Sequence, residues 1–321
     1  MRRFLAPIAM LSLAFGIFIP VAASAQTSTT ILGAFVPSFT DFQTLSSAVT
    51  TAGASQGITT SLGIDNDYKS FAWPNLTRAA NDVLYGFSPM ISWSPSTGAT
   101  TCVSLVGVRD GLYDSSVLAP NLALLESLPS SATVYVRLFY EMTDSQAEQC
   151  ANPTGSSSVY QEAFQHVVDY FRANLTSGAP NIVWVFAPGE PAFVKGTWSN
   201  YYPGSDYVDI IGEDLYNRTD SQLPFPGEVC QDAAGYSKPL MISETGALAN
   251  VPIIGDAVQV YWLSTVPAAC SNLYAFLYWD AVGGDEGPLD YTLDPTDSKV
   301  MNAFAAIAMP PGPRGEARSH Q

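Results

Sequence analysis

Histidine is nearly absent: His166 and His320 are the only two in 321 residues. A Ser-His-Asp hydrolase or a His-ligated zinc centre would have to rest on one of them, which counts against both. Basic residues are scarce too, 13 against 29 acids, giving a formal net charge of −16. A surface this acidic repels phosphate backbones, so no nucleic-acid partner is expected. It would tolerate a neutral polysaccharide and repel an acidic one such as pectin. Charged residues of both signs make up only 13% of the chain, whereas 47% is hydrophobic, too apolar for a disordered chain.

Cysteine is limited to Cys102, Cys150, Cys230 and Cys270, with no C-x-x-C pair among them. That disfavours a four-thiolate zinc site and favours disulfides in an oxidising compartment. Four thiols allow three pairings. Cys102 with Cys150 and Cys230 with Cys270 closes the shorter loops and is the expected one.

The N-terminus reads as an address. Arg2 and Arg3 precede an apolar run from Phe4 to Ala23 that ends in Ala23-Ser24-Ala25, a small-x-small cleavage pattern. A membrane anchor is the rival reading; the polar QTSTT that follows favours a signal peptide over 1–25. No later run of about 20 apolar residues could span a bilayer. The expectation is therefore a secreted or periplasmic monomer that leaves the membrane after cleavage. From Pro310-Pro311-Gly312 onward the chain reads as a disordered tail over 310–321.

Between these ends, eight short runs rich in β-branched and aromatic residues recur. They begin at Ile31, Ile58 (ITTSLGI), Pro89, Thr133 (TVYVRLFYE), Asn181, Tyr207 (YVDIIGEDLY), Lys238 (KPLMISETG) and Asn272 (NLYAFLYWDA). Helical patterns fill most gaps, from Ser157, Asp256 and Asp297 most clearly. The gap before the sixth strand is short and aromatic, so its helix is expected to be degenerate. Strands that are near-continuous apolar runs alternating with helices imply a parallel sheet covered on both faces. Eight such units over 26–309 match a single α/β domain, a (β/α)8 TIM barrel, better than an open doubly wound sheet.

In such a barrel, chemistry gathers where strands end. Period-two alternation points Arg137, Phe139 and Glu141 one way on the fourth strand, and Leu240, Ile242 and Glu244 one way on the seventh. An arginine and a glutamate facing a barrel interior need partners. Glu141 and Glu244, from opposite walls, can converge as the paired carboxylates of a retaining glycosidase. Asp214 and Tyr216 share a face of the sixth strand and reach the same mouth. A Tyr216 hydroxyl could hold the attacking carboxylate ionised. Trp279, ending the eighth strand, could floor a sugar site, as could Trp73, Trp93 or Trp198; Trp262 reads as core.

The ordered set RLFYEM, YYPGSDYVDIIGEDLY, KPLMISETG and LYWD resembles glycoside hydrolase family 26, among the clan A barrels. GVRDGLYDSSV and NIVWVFAP resemble that family's stretch before the third helix and its fifth strand. The resemblance implies Glu141 as acid/base and Glu244 as nucleophile, with Arg137, Asp214, Tyr216 and Trp279 as the supporting residues; Tyr140, next to Glu141, is a further candidate for substrate binding or support. It implies cleavage of a polysaccharide or oligosaccharide substrate without a cofactor: β-1,4-mannan foremost, or mixed-linked β-glucan or β-1,3-xylan. Two departures bear on specificity. Tyr140 stands where many family mannanases have histidine, and TDSQAEQCANPTG replaces an Asn-Gly and tryptophan-rich continuation. That altered segment opens a second reading, a non-catalytic sugar-binding or scaffold barrel. Gly189-Glu190-Pro191 resembles the Asn-Glu-Pro motif of other clan A families but follows the fifth strand and lacks the asparagine. Glu213 alternates away from Asp214, toward the helices.

Overall fold

The computed structural model describes residues 30–98, 101–142, 150, 156–190, 196–283 and 289–309. The expected signal peptide and tail lie outside the described residues, as does most of the TDSQAEQCANPTG segment.

Eight parallel strands close into a barrel: β1 (Ile31–Phe35), β2 (Leu62–Lys69), β3 (Ser88–Trp93), β4 (Thr133–Leu138), β5 (Asn181–Phe186), β6 (Ile210–Asn217), β7 (Leu240–Ala247) and β8 (Leu273–Trp279). Each pairs with its sequence neighbours, and β1 pairs with β8 to complete the ring. The helices are α1 (Phe39–Ser55), α2 (Thr77–Leu84), α3 (Leu105–Arg109), α4 (Ala119–Glu126), α5 (Ser157–Asn174), α6 (Glu228–Asp232), α7 (Ala257–Ala269) and α8 (Ser298–Ala306). Among its described residues the β5–β6 connection carries a 3₁₀ turn, Trp198–Asn200, and Glu190 is helical; the rest of the stretch where a degenerate helix was expected lies partly outside the described residues.

Local chemistry explains where the helices start. Ser38 accepts from the Asp41 amide to cap α1, Ser104 caps α3 through Gly107, and Asp297 takes the Lys299 and Val300 amides of α8. The face of α5 foreseen from its spacing is the buried one: Tyr160, Phe164, Val167, Val168 and Phe171. Each such side chain withdrawn from water contributes about 1.5–3 kcal/mol. Two apolar regions result. Ile64, Met90, Tyr135, Val185, Ile210, Met241, Ala275 and Leu277 fill the barrel, while a larger cluster lies between strands and helices.

Cys102 pairs with Cys150 and Cys230 with Cys270, with Cα separations of 4.6 and 5.6 Å, as the shorter loops suggested. Among the described residues no helix is long and apolar enough to cross a membrane.

Three strand-level expectations need correction. The second strand is Leu62–Lys69, not the ITTSLGI run from Ile58. Its polar half, Asp65 to Lys69, is strand because Asn66 and Tyr68 face the barrel mouth and find polar partners there, while Arg78 and Lys69 pair with Asp65 and Asp67. On β4, Phe139 does not share the inward face of Arg137. The strand ends at Leu138, Phe139 takes a left-handed φ of 50°, and its ring packs beside Phe71 and Trp93 in the outer cluster. On β7, Met241 belongs to the barrel interior and Ile242 to the outer cluster, the reverse of strict alternation from Glu244. A bulge resolves the parity: Ile242 pairs with Glu213 but Glu244 with Asp214, leaving Ser243 as the extra residue. Trp73, Trp93 and Trp198 are at most 5% exposed, so they are packing residues and not stacking platforms. Trp262 is core, as read.

Candidate active site

The site is built around Arg137, which is fully buried on β4. Its Nη1 donates to Glu244 Oε2 at 2.8 Å and to Ser92 Oγ at 3.1 Å, and its Nη2 donates to Asp214 Oδ2. Glu141 Oε1 lies 4.0 Å from Nη2. One guanidinium thus gathers three carboxylates from the ends of β4, β6 and β7. The Tyr140 ring lies against the same cation, 4.3 Å from its Cζ to the ring centroid. The side chains expected to converge do converge.

Backbone strain delivers Glu141. It carries a φ of 53°, two residues after Phe139 at 50°. A non-glycine residue in the left-handed region costs about 1–3 kcal/mol and persists only where its surroundings hold it. Here the Phe139 amide donates to Trp93 O at 2.8 Å and the Glu141 amide to Ala187 O at 2.8 Å. The double kink turns Phe139 outward into apolar packing and carries Glu141 back over the mouth. Gly189, with φ +91°, makes this approach feasible: a Cβ there would sit 3.3 Å from Glu141 Cα, on a backbone that side chains resist.

The Ser243 bulge delivers Glu244 and Asp214 together. Ser243 Oγ donates to Asp214 Oδ1 at 2.6 Å. Gly212 leaves room for that hydroxyl, since a Cβ would meet it at 2.6 Å. Burial pushes the Asp214 carboxyl up to about 6; Arg137 opposes this and the Glu244 charge adds to it.

Both Glu244 oxygens receive phenols. Tyr216 donates to Oε1, as its position on β6 suggested, and Tyr68 on β2 donates to Oε2. Burial, then the neighbouring Glu244 charge, hold both phenols well above their usual range, so they remain donors at any working pH. Trp279 stacks on Phe35 with centroids 4.3 Å apart and meets the edge of Tyr68 at 5.3 Å. It is half-buried at the rim.

The two remaining candidates fall elsewhere. Glu190 pairs with Arg218, whose guanidinium lies 5.0 Å over the Tyr216 ring. Glu213 is buried one residue out of phase with Asp214. Sequence reading missed Tyr68, Ser92 and Asn66, which continue the polar network from Arg137. The rule that found Glu141, a polar side chain ending an inward strand face, would have found Tyr68 had β2 been placed four residues later.

A closed (β/α)8 barrel with an arginine-anchored cluster of carboxylates over its C-terminal mouth has the architecture of a barrel glycosidase. The comparisons narrow this. Residues 123–244 match the model of glycosyl hydrolase family 26, a stretch that contains Glu141 and ends on Glu244. Over that stretch the chain is similar to that family, as its motifs suggested. A mannan endo-1,4-beta-mannosidase of Bacillus subtilis is 30% identical over 123 residues, covering 38% of this chain but only 31% of that protein. Endoglucanase H of Acetivibrio thermocellus is 43% identical over 63 residues, 19% of this chain and 7% of that one. The chain's matches thus span less than a third of either relative. In fold, a GH26 beta-mannanase from Bacteroides ovatus superposes with a TM-score of 0.60 at 15% identity, covering 92% of this chain and 94% of that one. A Bacillus subtilis mannanase gives 0.57 at 17% identity, over 87% and 85%.

Proposed function

We propose that this protein is a secreted retaining glycoside hydrolase that cleaves a β-linked polysaccharide, β-1,4-mannan foremost, by double displacement. The observation that carries the reading is the shared guanidinium of Arg137, with Glu244 at 2.8 Å on one nitrogen and Glu141 at 4.0 Å on the other.

Their surroundings divide the roles. Glu244 accepts from Arg137, Tyr68 and Tyr216, donors that favour its ionised form and fix its rotamer. It is the nucleophile. Glu141, more open at the mouth and less closely tied to the cation, is the acid/base. In the first step Glu141 gives its proton to the glycosidic oxygen. Glu244 attacks the anomeric carbon, and the bond to the leaving sugar breaks as the ester to Glu244 forms. In the second step Glu141 removes a proton from water, the water oxygen attacks the same carbon, and Glu244 leaves as carboxylate. Two inversions give net retention. The buried Arg137 charge offsets the carboxylates, and Asp214, held by Ser243, keeps the guanidinium in place. Trp279 offers the half-buried ring edge and face suited to a pyranose.

The test is a substrate panel with purified protein: mannan, galactomannan, lichenan, β-1,3-xylan and xylan. New reducing ends from β-mannan are expected, with the first product anomer retained by proton NMR. Glu244→Ala should reduce turnover to background while its thermal melt stays cooperative. Inversion of the anomer, or wild-type turnover by Glu244→Ala, removes the proposal.

A further inference from the structure

Glu244 is held from three strands. Oε2 accepts from Arg137 Nη1 on β4 and from the Tyr68 phenol on β2, whereas Oε1 accepts from Tyr216 on β6. A carboxylate oxygen offers two lone-pair directions. Among the described residues both are filled on Oε2, and one is left on Oε1. Building on the nucleophile reading above, we infer that Tyr68 is a positioning residue: its phenol pins Oε2 as the resting oxygen and leaves Oε1 as the atom that attacks the sugar.

The surroundings of Tyr68 fit that task. Its ring is held edge-on by Phe35, Trp279 and Tyr140, at centroid distances of 5.0, 5.3 and 5.6 Å. Its hydroxyl oxygen also lies 3.5 Å from Arg137 Nη1, whose two N–H groups make shorter bonds to Glu244 and Ser92. The phenol is therefore oriented by the packing of its ring and by the bond it donates to the carboxylate. Rotation of the Glu244 carboxylate would break two hydrogen bonds at Oε2 together. Tyr216 cannot replace this restraint, because it bonds the other oxygen.

Tyr68→Phe in the full chain removes the hydroxyl and keeps the ring. The expected kcat on the best polysaccharide of the panel falls about ten- to a hundredfold, as for loss of one hydrogen bond to a charged group, with KM within about twofold. The acid limb of kcat/KM should move up by about one pH unit, because a donor to the ionised form is lost. A second variant guards the result: 3-fluorotyrosine at position 68 is a stronger donor of the same shape and should move that limb down. Wild-type kcat with an unmoved limb in Tyr68→Phe overturns the inference. So does a lower kcat whose limb stays in place in both variants, the mark of a packing defect. Failure of the broader reading looks different, since there Glu244→Ala itself keeps turnover.

Discussion

Replacing Arg137 by Met removes the cation and fills most of its volume. The side chain is fully buried, and it faces Asp214 and Glu244, which are 1% and 8% exposed. Removing one partner of a buried ion pair leaves the other charge uncompensated, at a cost of about 3–5 kcal/mol. The cost should depend on pH in a definite direction. Asp214 sits at about 6 even with the guanidinium beside it, because burial raises it and Glu244 adds to the rise. Without Arg137 that carboxyl rises further and stays protonated in the folded variant, while the native protein sheds its proton above about 6. Between pH 7.5 and 6 the penalty should therefore shrink, by at most about 1.4 kcal/mol per pH unit and about half that close to pH 6. Urea unfolding of both proteins at the two pH values measures it. In the Arg137→Met/Asp214→Asn double variant, whose second carboxylate cannot ionise, the dependence should vanish and part of the stability return. A penalty below about 1 kcal/mol, or one equal at both pH values, would refute the idea that Arg137 chiefly neutralises this cluster.

Asp82 on α2 and Asp65 on β2 form a second buried carboxyl pair, with Arg78 bonding both Asp65 oxygens. Burial, then the Asp65 charge, push Asp82 up to about 9. A carboxyl raised on folding contributes stability below its unfolded value of 3.8 and loses it progressively as pH rises toward 9. Asp82→Asn, which keeps a donor toward Asp65 at every pH, should flatten that decline in a series of urea midpoints from pH 4 to 9; an unchanged slope would exclude Asp82 as its source. Trp279→Ala should raise KM for the polysaccharide about tenfold, one stacking contact's worth, with kcat little altered. A KM unchanged in initial-rate kinetics would leave the indole only its packing on Phe35 and Tyr68.

The barrel was legible because its strands are apolar on both faces and its longer helices carry one clear stripe, so periodicity and spacing sufficed for the architecture. Both disulfides followed from loop length. Failure came where polar chemistry overrides pattern. The polar segment Asp65 to Lys69 falls outside the apolar run from Ile58, yet it is strand, since Tyr68 meets Glu244 and Asn66 meets Ser92. No local rule reveals this, because the partners lie on other strands. Alternation assigned Glu244 to the mouth for a mistaken reason. Strict parity with Leu240 would have put Met241 outside the barrel, whereas Met241 is inside it. The Ser243 bulge restores Glu244 to the mouth, and a bulge depends on the pairing of two strands. Glu141 is parallel: it lies beyond the end of β4, on left-handed backbone that the neighbouring strands hold. At both carboxylates the regular strand has been broken within one or two residues of the functional side chain. That is the expected pattern if positioning these groups is what the irregularities serve, for regular pleating would aim Phe139 inward and leave Ser243 and Glu244 on opposite faces.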